Sequence, residues 1–279
     1  MENEGEHVTT SVTEKVYRRG PFPVKFRCLE VLRVTPVTPH VVRITLGGQD
    51  IEGFHSEGAD DHVKVLFPEQ GKRKPVIPTM GPTGPQLQPG EKKPDSRDYT
   101  PRRYDSTTGE LDLDFVLHGS GPASSWAAQA KPGDMLGVGG PRGSLFVSND
   151  FDWYLLAGDE TAIPAIARRL EELPEGARAI VFVEVADASE EQPLTTRANV
   201  TLTWLHRNGA EAGSTGLLHK AIRELDFPPG DYFAWVSGES SEMRTIREHL
   251  LNERGTQKSW VRVTGYWKRG HADHIHDSK

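Results

Sequence analysis

Cysteine and long apolar runs are scarce in this chain of 279 residues, and each scarcity excludes a class of protein. Cys28 is the single cysteine, so no disulfide can form within the chain and no cysteine-ligated iron–sulfur cluster can be built. We interpret Cys28 as a small core residue. No stretch approaches the roughly 20 apolar residues that a membrane-spanning helix needs, so we expect no membrane span.

The amino-terminal segment and the overall charge narrow the choice further. Residues 1–17 are polar and charged without an apolar centre, unlike a secretory signal, and we therefore expect a cytoplasmic protein. The net charge is −7, whereas nucleic-acid-binding proteins carry a basic footprint that displaces counterions. Nucleic acid is therefore not an expected partner.

Several catalytic and metal-binding signatures are missing as well. The sequence has no Gly-x-Ser-x-Gly elbow, no Gly-x-x-x-x-Gly-Lys-Ser/Thr phosphate loop and no His-Glu-x-x-His motif. His271, His274 and His276 are interpreted as part of a mobile tail rather than as metal ligands. Asp112 and Asp114 alternate with apolar residues, which places them on the wet face of a strand. We predict no resident metal.

The pattern of apolar residues divides the chain into two parts. From about residue 24 to 147 the apolar runs are short and β-branched, which predicts an antiparallel β-barrel; residues 70–96, rich in Pro, Gly and Lys, are predicted to be a long surface loop. From about residue 152 strands and helices alternate, which predicts a parallel sheet covered by helices. The prediction is a two-domain α+β chain: a tail over 1–19, a β-barrel domain over 20–148, an α/β domain over 149–270 and a second tail over 271–279.

Two runs carry recognisable chemistry. In Arg97-Asp98-Tyr99-Thr100-Pro101-Arg102, strand alternation puts Arg97 and Tyr99 on one face, where a ring can lie against an isoalloxazine and a guanidinium can pair with a phosphate. In His118-Gly119-Ser120-Gly121-Pro122-Ala123-Ser124, small residues let backbone N–H groups approach an anion, and a helix that begins at Pro122 favours a diphosphate. Each run alone also fits an ordinary strand or turn. Together, in this order, they predict a flavin site.

The two runs resemble the flavin-binding motifs of the siderophore-interacting protein family, which are flavin-dependent ferric-siderophore reductases of the ferredoxin–NADP reductase superfamily. The first run matches that family's Arg-x-Tyr-Thr-x-Arg motif, and the likeness continues in order over roughly residues 20 to 270. Its further segments are 38–48, 62–68, 158–165, 204–207, 237–239 and 265–270.

The resemblance implies that the first domain binds FAD. By that resemblance Tyr99 packs on the isoalloxazine, Thr100 lies near its reactive N5, and Arg97 neutralises the diphosphate, so that Tyr99 and Thr100 flank the reacting centre. A flavin is the natural coupler here, because nicotinamide gives up two electrons as a hydride and ferric iron accepts one. The other expected FAD contacts are Arg102, His118, Gly119, Gly121, Pro122, Ala123, Ser124 and Trp126, of which Trp126 either covers the flavin or packs the short helix.

A second site is expected for NADPH or NADH. The run Gly158-Asp159-Glu160-Thr161-Ala162 lies between a predicted strand and helix, where dinucleotide-binding turns occur, although an ordinary capped turn looks the same. The resemblance favours a coenzyme site that also includes Gly238 and Glu239. Arg207 or Arg244 would bind the 2′-phosphate of NADPH, whereas Glu184 or Asp187 would favour NADH, so the coenzyme stays open with a tilt toward NADPH.

Basic residues are expected to attract the iron chelate. Ferric catecholate siderophores are polyanions, and local positive charge concentrates an anion even on an acidic protein. The resemblance places Lys64, Lys268 and Arg269 near the open flavin face, although Lys64 equally fits a solvated strand edge. We therefore expect a ferric-siderophore reductase, and we also expect the protein to be a monomer. The alternatives are a flavin oxidoreductase with another acceptor and a non-catalytic siderophore-binding protein.

Overall fold

The computed structural model of the protein describes residues 14–119 and 121–271. Most of each expected tail, including His274 and His276, and Ser120 in the second flavin run lie outside the described residues. Within the described ranges no helix is long and apolar enough to cross a membrane.

The first half of the chain is made of short strands separated by Gly and Pro turns, as its sequence predicts. They are β1 Val16–Arg19, β2 Phe26–Thr38, β3 Val41–Gly47, β4 Val63–Leu66, β5 Thr79–Gly81, β6 Gly84–Gln86, β7 Ser96–Tyr99, β8 Arg103–Asp105, β9 Glu110–Val116, β10 Met135–Gly139 and β11 Ser144–Val147. Seven of them form one antiparallel sheet in the order β7-β4-β10-β2-β3-β9-β8.

The connection between the two edge strands requires this sheet to curl. Seven flat strands about 4.8 Å apart would separate β7 from β8 by about 29 Å. The four residue steps from Tyr99 to Arg103 span at most about 14 Å. The edges must therefore approach each other as they do in a barrel, and the interior is filled by fully buried side chains such as Leu29, Val65 and Leu113. The predicted antiparallel β domain is confirmed.

Two segments of this domain differ from the sequence prediction. Residues 16–19, assigned to a tail, form β1 and pair with β11, where Tyr17 stacks on Phe146 with ring centroids 5.1 Å apart. Residues 70–96, predicted as a loop, contain the β5–β6 hairpin, and Ser96 already belongs to β7. Strands of three residues carry too little apolar alternation for a sequence pattern to reveal them.

The second half alternates strands and helices, and its sheet is parallel, as predicted. Its elements are β12 Trp153–Asp159, α2 Ile163–Glu172, β13 Arg178–Val185, β14 Asn199–His206, α3 Leu217–Glu224, β15 Tyr232–Glu239, α4 Ser240–Glu248 and β16 Val261–Trp267; the short helix α1 Pro122–Ala127 belongs to the first half. The strand order is β14-β13-β12-β15-β16. The order reverses between β12 and β15, and ligands bind doubly wound sheets at the carboxyl ends of the strands at such a point.

Polar contacts hold the two halves together. Asp60, in the first half, accepts hydrogen bonds from Trp235 Nε1 and Arg262 Nε, each at 2.9 Å. The buried carboxylate of Glu190 accepts from the backbone N–H of His40 at 3.1 Å and contacts its ring Nδ1 at 2.7 Å. These contacts join β15, β16 and the segment that follows β13 to the β domain.

Candidate functional site

An aromatic cluster lies where the first flavin motif ends. Tyr99 is the last residue of β7, and its ring centroid is 4.3 Å from that of Phe115. Trp126 of α1 lies 5.9 Å from both Phe115 and Phe67. Burial raises the pKa of Tyr99 well above its usual range. Trp126 therefore packs α1 onto the β domain, which is one of the two roles that its sequence position allowed.

Strand pairing decides which side chains share the face of Tyr99. Antiparallel register places Tyr99 opposite Val63 and Arg97 opposite Val65, and both valines are fully buried. Arg97 therefore lies on the same face as Tyr99, as the alternation predicts, and its Nη1 donates to the carbonyl of Ser96 at 2.7 Å.

The second flavin run forms an open backbone cradle. Gly119 has a positive φ of 47°, and Gly121 is the residue that precedes α1, with no side-chain cap. A Cβ added at either glycine would meet nothing within 4 Å. The backbone N–H of His118 donates to the buried Ser124 Oγ at 2.8 Å, which fixes the loop against α1.

This cradle fits the diphosphate of a flavin dinucleotide. The N–H groups of the first turn of a helix have no partner within the helix, so those of Ala123 and Ser124 can donate to an anion. Pro122 at the first position has no N–H and removes none of these donors. The ring of His118 is exposed beside the loop.

Thr100 connects the flavin motif to the second domain. It is buried, and its hydroxyl interacts with the phenol of Tyr266 in β16, as does the hydroxyl of Ser237. Burial raises the pKa of Tyr266 above its usual range, and the two hydroxyls oppose that rise. The residue expected near flavin N5 therefore lies where the edge of the β domain meets the carboxyl end of the parallel sheet.

Arg102, the last arginine of the first motif, makes a different contact from the one expected. Its Nη2 and Nη1 donate to the two oxygens of Glu171 on α2, at 2.6 and 3.2 Å. This bidentate pair joins the domains, and the structure does not place Arg102 with the aromatic cluster.

The turn after β12 is tightly built. A Cβ at Gly158 would lie 2.3 Å from the Cβ of Ala162 and 2.5 Å from the carbonyl oxygen of Ser237, so only glycine fits there. Asp159 Oδ1 accepts from the Thr161 N–H at 2.9 Å and from its hydroxyl at 2.5 Å. Asp159 Oδ2 accepts from Trp267 Nε1 at 2.7 Å. Burial and then the charge of Glu160 raise the pKa of Asp159 to about 7.

The arginine expected at a 2′-phosphate is held by carboxylates. Both terminal nitrogens of Arg207 donate to Glu160, and Arg207 Nη1 lies 3.5 Å from Glu184 Oε1. Only 7% of the Arg207 side chain is exposed. Glu184 is buried, accepts from the Thr215 hydroxyl at 2.9 Å, and has a raised pKa because of that burial. Arg207, Glu160 and Glu184 form a cluster with a net negative charge. We call it the ribose-end cluster, because Arg207 is the residue expected at the 2′-phosphate on the coenzyme ribose.

The remaining coenzyme candidates have different surroundings. Arg244 is exposed on α4, and Asp187 accepts from the Ser189 N–H in its own turn. A Cβ at Gly238 would lie 2.9 Å from Asp159 Oδ2, so the absence of a side chain at this position leaves room for the Asp159 carboxylate. Glu239 is buried and accepts from the first N–H groups of α4, at 2.6 Å from Ser241 and 3.1 Å from Glu242.

The three basic residues expected at the chelate have different surroundings. Lys64 lies opposite Asp98 in the strand pair and forms an ion pair with it at 2.7 Å. Because alternate residues point to opposite faces, Lys64 lies on the face of the strand pair opposite to Tyr99. Its position beside the flavin stays a prediction. Lys268 and Arg269 directly follow β16 and are exposed. Within residues 14–119 and 121–271, the Lys268 ammonium makes no ion pair.

Sequence reasoning gave no role to Glu171, Phe115 or Trp267, although each contacts a candidate residue. Phe115 is one of the apolar residues that alternate with polar ones along its strand. This pattern predicts a core residue, but it does not predict a flavin contact. Trp267 lies within one of the matching segments, yet its indole partner Asp159 is 108 residues away.

Comparison with known proteins identifies the family of this chain. The family model described as a siderophore-interacting FAD-binding domain matches residues 30–145, and the one described as siderophore-interacting protein matches residues 151–270. The chain is also 35% identical over 247 residues to ferric vibriobactin reductase ViuB of Vibrio cholerae, covering 88% of this chain and 90% of that one. The chain belongs to the siderophore-interacting protein family.

The match to two further relatives extends over nearly the full length of each of them. The NADPH-dependent ferric-chelate reductase of Escherichia coli is 37% identical, over 88% of this chain and 93% of that one. The crystal structure of a siderophore utilization protein from T. fusca is 44% identical, with a TM-score of 0.87, over 94% of this chain and 99% of that one. The relatives therefore match both halves of the chain and the connection between them.

Proposed function

We propose that this chain is an FAD-containing, NAD(P)H-dependent reductase that converts the Fe(III) of a siderophore to Fe(II). Both family models, the ferric-chelate reductase relatives and the two candidate sites support this activity. In this proposal residues 20–148 bind FAD and residues 149–270 bind the coenzyme. The chain acts as a monomer in the cytoplasm, and its substrate is an anionic, catecholate-like chelate.

One observation carries the proposal: Thr100 and Tyr266 meet at the junction of the two domains. The flavin motif ends at one side of this junction, and the nicotinamide turn lies at the other, beside Ser237 of the neighbouring strand. A hydride donor bound at the carboxyl ends of β12 and β15 therefore faces a ring held against Tyr99. FAD held there would supply a group that can take two electrons as a hydride and release them one at a time.

Each group of residues has a defined task in this proposal. Arg97 and the loop N–H groups neutralise and orient the diphosphate, while Tyr99 supports the ring and Thr100 lies beside its reacting edge. The turn around Asp159 holds the coenzyme diphosphate. The proposed FAD contacts are Arg97, Tyr99, Thr100, His118, Gly119, Gly121, Pro122, Ala123 and Ser124; the proposed coenzyme contacts are Glu160, Thr161, Ala162 and Gly238.

The chelate is expected at Lys268 and Arg269. Both are exposed; Lys268 makes no ion pair with the described residues, whereas Arg269 Nη1 lies 3.9 Å from Glu211 Oε2. A polyanion gains from such unpaired charge even though the chain carries a net charge of −7. The iron remains bound to its chelator throughout, so no protein ligand to the metal is needed.

An anaerobic absorbance titration tests the proposal. Protein reconstituted with FAD is first titrated with NADPH, and iron(III) tris-catecholate is then added together with a ferrous-specific indicator. We expect the flavin band to bleach with coenzyme and to return with the chelate as Fe(II) appears. A band that bleaches but does not return would favour a different electron acceptor. Protein that binds the chelate but takes up no FAD would favour the non-catalytic binding protein.

A further inference from the structure

The final strand of the parallel sheet is irregular at the residue where it reaches the domain junction. In the β15–β16 pair, Gly238 lies opposite Gly265, but the next residue, Glu239, lies opposite Trp267. Tyr266 is therefore an extra residue in β16. Bulges of this kind redirect side chains. Tyr266 and Trp267 consequently reach different partners, the first toward Thr100 and the second toward Asp159.

Trp267 is held at both its side chain and its backbone. Its Nε1 donates to the buried Asp159 Oδ2 at 2.7 Å, and its carbonyl accepts from Ser240 Oγ at 2.9 Å. Ser240 is the first residue of α4. The N–H of Arg269 also donates to Glu239 Oε1 at 3.3 Å.

A neighbouring loop closes over the same residue. A Cβ at Gly213, in the connection between β14 and α3, would lie 2.7 Å from the Glu239 Cγ and 2.9 Å from the Trp267 ring. The end of β16 is therefore enclosed by the turn after β12, by the first residue of α4 and by this loop. All of these elements surround the proposed coenzyme site.

We propose that Trp267 is a positioning residue that couples coenzyme binding to chelate binding, by fixing the Lys268–Arg269 segment to the turn at Asp159. This proposal rests on the proposed function, because it takes the turn as the coenzyme site and the two basic residues as the chelate site. A coenzyme bound against the turn acts on Asp159, the acceptor of the indole N–H, and a chelate bound at Lys268 acts on the residue that follows Trp267. Each ligand can therefore change the affinity for the other through this one side chain.

The test measures binding rather than turnover. The dissociation constant of iron(III) tris-catecholate is measured by calorimetry on oxidised, FAD-loaded protein, with and without saturating NADP⁺, and again with NAD⁺. In the unsubstituted protein we expect one of the two dinucleotides to change the chelate dissociation constant by about fivefold. In Trp267→Phe, which keeps an aromatic ring at this position but loses the indole N–H, this change should shrink toward onefold.

Two further variants distinguish a specific loss of coupling from a general loss of folding. Trp260→Phe makes the same replacement at a tryptophan of the same domain that packs on Phe151, with ring centroids 5.3 Å apart, and should keep the coupling. Ser240→Ala removes the second anchor of Trp267 and should weaken the coupling even if Trp267→Phe does not fold.

The results distinguish a failure of this inference from a failure of the proposed function. If the unsubstituted protein shows no coupling, or if Trp267→Phe and Ser240→Ala both retain it, the inference is wrong even though Fe(II) is still produced. If the unsubstituted protein produces no Fe(II) from coenzyme and chelate, the proposed function has failed instead. Coupling that is lost in both variants but kept in Trp260→Phe supports the positioning role.

Discussion

The guanidinium of Arg102 is bound by the carboxylate of Glu171 through two hydrogen bonds, of 2.6 and 3.2 Å, that cross from the β7–β8 connection to α2. Arg102 belongs to the flavin motif by sequence, yet its partner belongs to the parallel-sheet domain. Paired guanidinium–carboxylate geometry restricts orientation as well as distance. We infer that this arginine sets the relative position of the two domains rather than holding FAD.

Replacing Arg102 with alanine should therefore slow hydride transfer without releasing the flavin. We expect the rate of flavin reduction by coenzyme to fall about three- to tenfold, because small displacements of reacting groups are costly. The FAD dissociation constant should stay within about twofold, since the lost contact is an interdomain ion pair. Stopped-flow absorbance gives the rate, and quenching of flavin fluorescence gives the affinity.

Glu171→Gln is the matched variant for that prediction. It removes the same ion pair from the other side and should reproduce the effect on the reduction rate. The interpretation is overturned if Arg102→Ala loses FAD while Glu171→Gln keeps it, because Arg102 would then contact the flavin directly.

The cradle before α1 offers a cleaner test of FAD binding. Gly121 has φ −73° and ψ 153°, a conformation open to any residue, and an added Cβ meets nothing within 4 Å. Gly121→Val should therefore leave the melting temperature of the apoprotein almost unchanged. If the diphosphate occupies that open space, the same variant should weaken FAD binding at least about tenfold.

Ser125→Ala serves as the control for Gly121→Val, because Ser125 is exposed on the same short helix. It should leave both the melting temperature and the FAD affinity unchanged. Unchanged FAD affinity in Gly121→Val would place the diphosphate elsewhere. Calorimetric titration of apoprotein with FAD measures the affinity, and differential scanning calorimetry measures the stability.

Local patterns in the sequence were enough to predict the antiparallel and parallel halves, and the face shared by Arg97 and Tyr99. These features follow from alternation over neighbouring residues, which a sequence displays directly. The short hairpin at residues 79–86 was missed because its strands are too short to show a period. Strand β1 was missed because its partner β11 lies more than a hundred residues later.

The side-chain partners within the site were the least predictable part. Lys64 could not be assigned to a face until its register opposite Asp98 was known. The partner of Arg207, Glu160, lies 47 residues earlier, and only the packing of β12, β13 and β14 brings them together. Such contacts depend on strand order, which local sequence patterns do not contain.

The ribose-end cluster leads to a prediction about coenzyme choice. Arg207 is neutralised by Glu160 and lies close to Glu184, so the three groups carry one net negative charge. A 2′-phosphate adds more negative charge at such a site, whereas a ribose hydroxyl can donate to a carboxylate. Glu160→Gln should therefore raise the ratio of kcat/KM for NADPH over NADH by about tenfold.

Steady-state kinetics with both coenzymes, at fixed chelate concentration, measures that ratio. Glu191→Gln is a suitable control, because Glu191 pairs on the surface with His206, the last residue of β14, which directly precedes Arg207. It should leave the ratio unchanged. An unchanged ratio in Glu160→Gln as well would show that the 2′ position of the coenzyme lies away from Arg207.

The buried carboxyl of Asp159 predicts a specific dependence of stability on pH. Burial and the charge of Glu160 raise its pKa in the folded protein from the ordinary 3.8 to about 7. The folded state therefore holds the proton more tightly than the unfolded state, so this group's contribution is fully present below about pH 4 and is lost as the pH rises to about 7. The groups that act on Asp159 are Glu160, Thr161 and Trp267 around it, Glu242 on α4 and Arg207 after β14.

Asp159→Asn isolates that contribution from the other titrating groups. The neutral amide cannot ionise, so the variant should lose less stability than the unsubstituted protein between pH 5 and pH 8. Urea unfolding of the two proteins at several pH values gives the difference in free energy, which should grow in favour of the variant as the pH approaches 7 and then level off. Parallel curves across the whole range would mean that Asp159 is already ionised in the folded protein at pH 5, with Trp267 and Thr161 stabilising its charge.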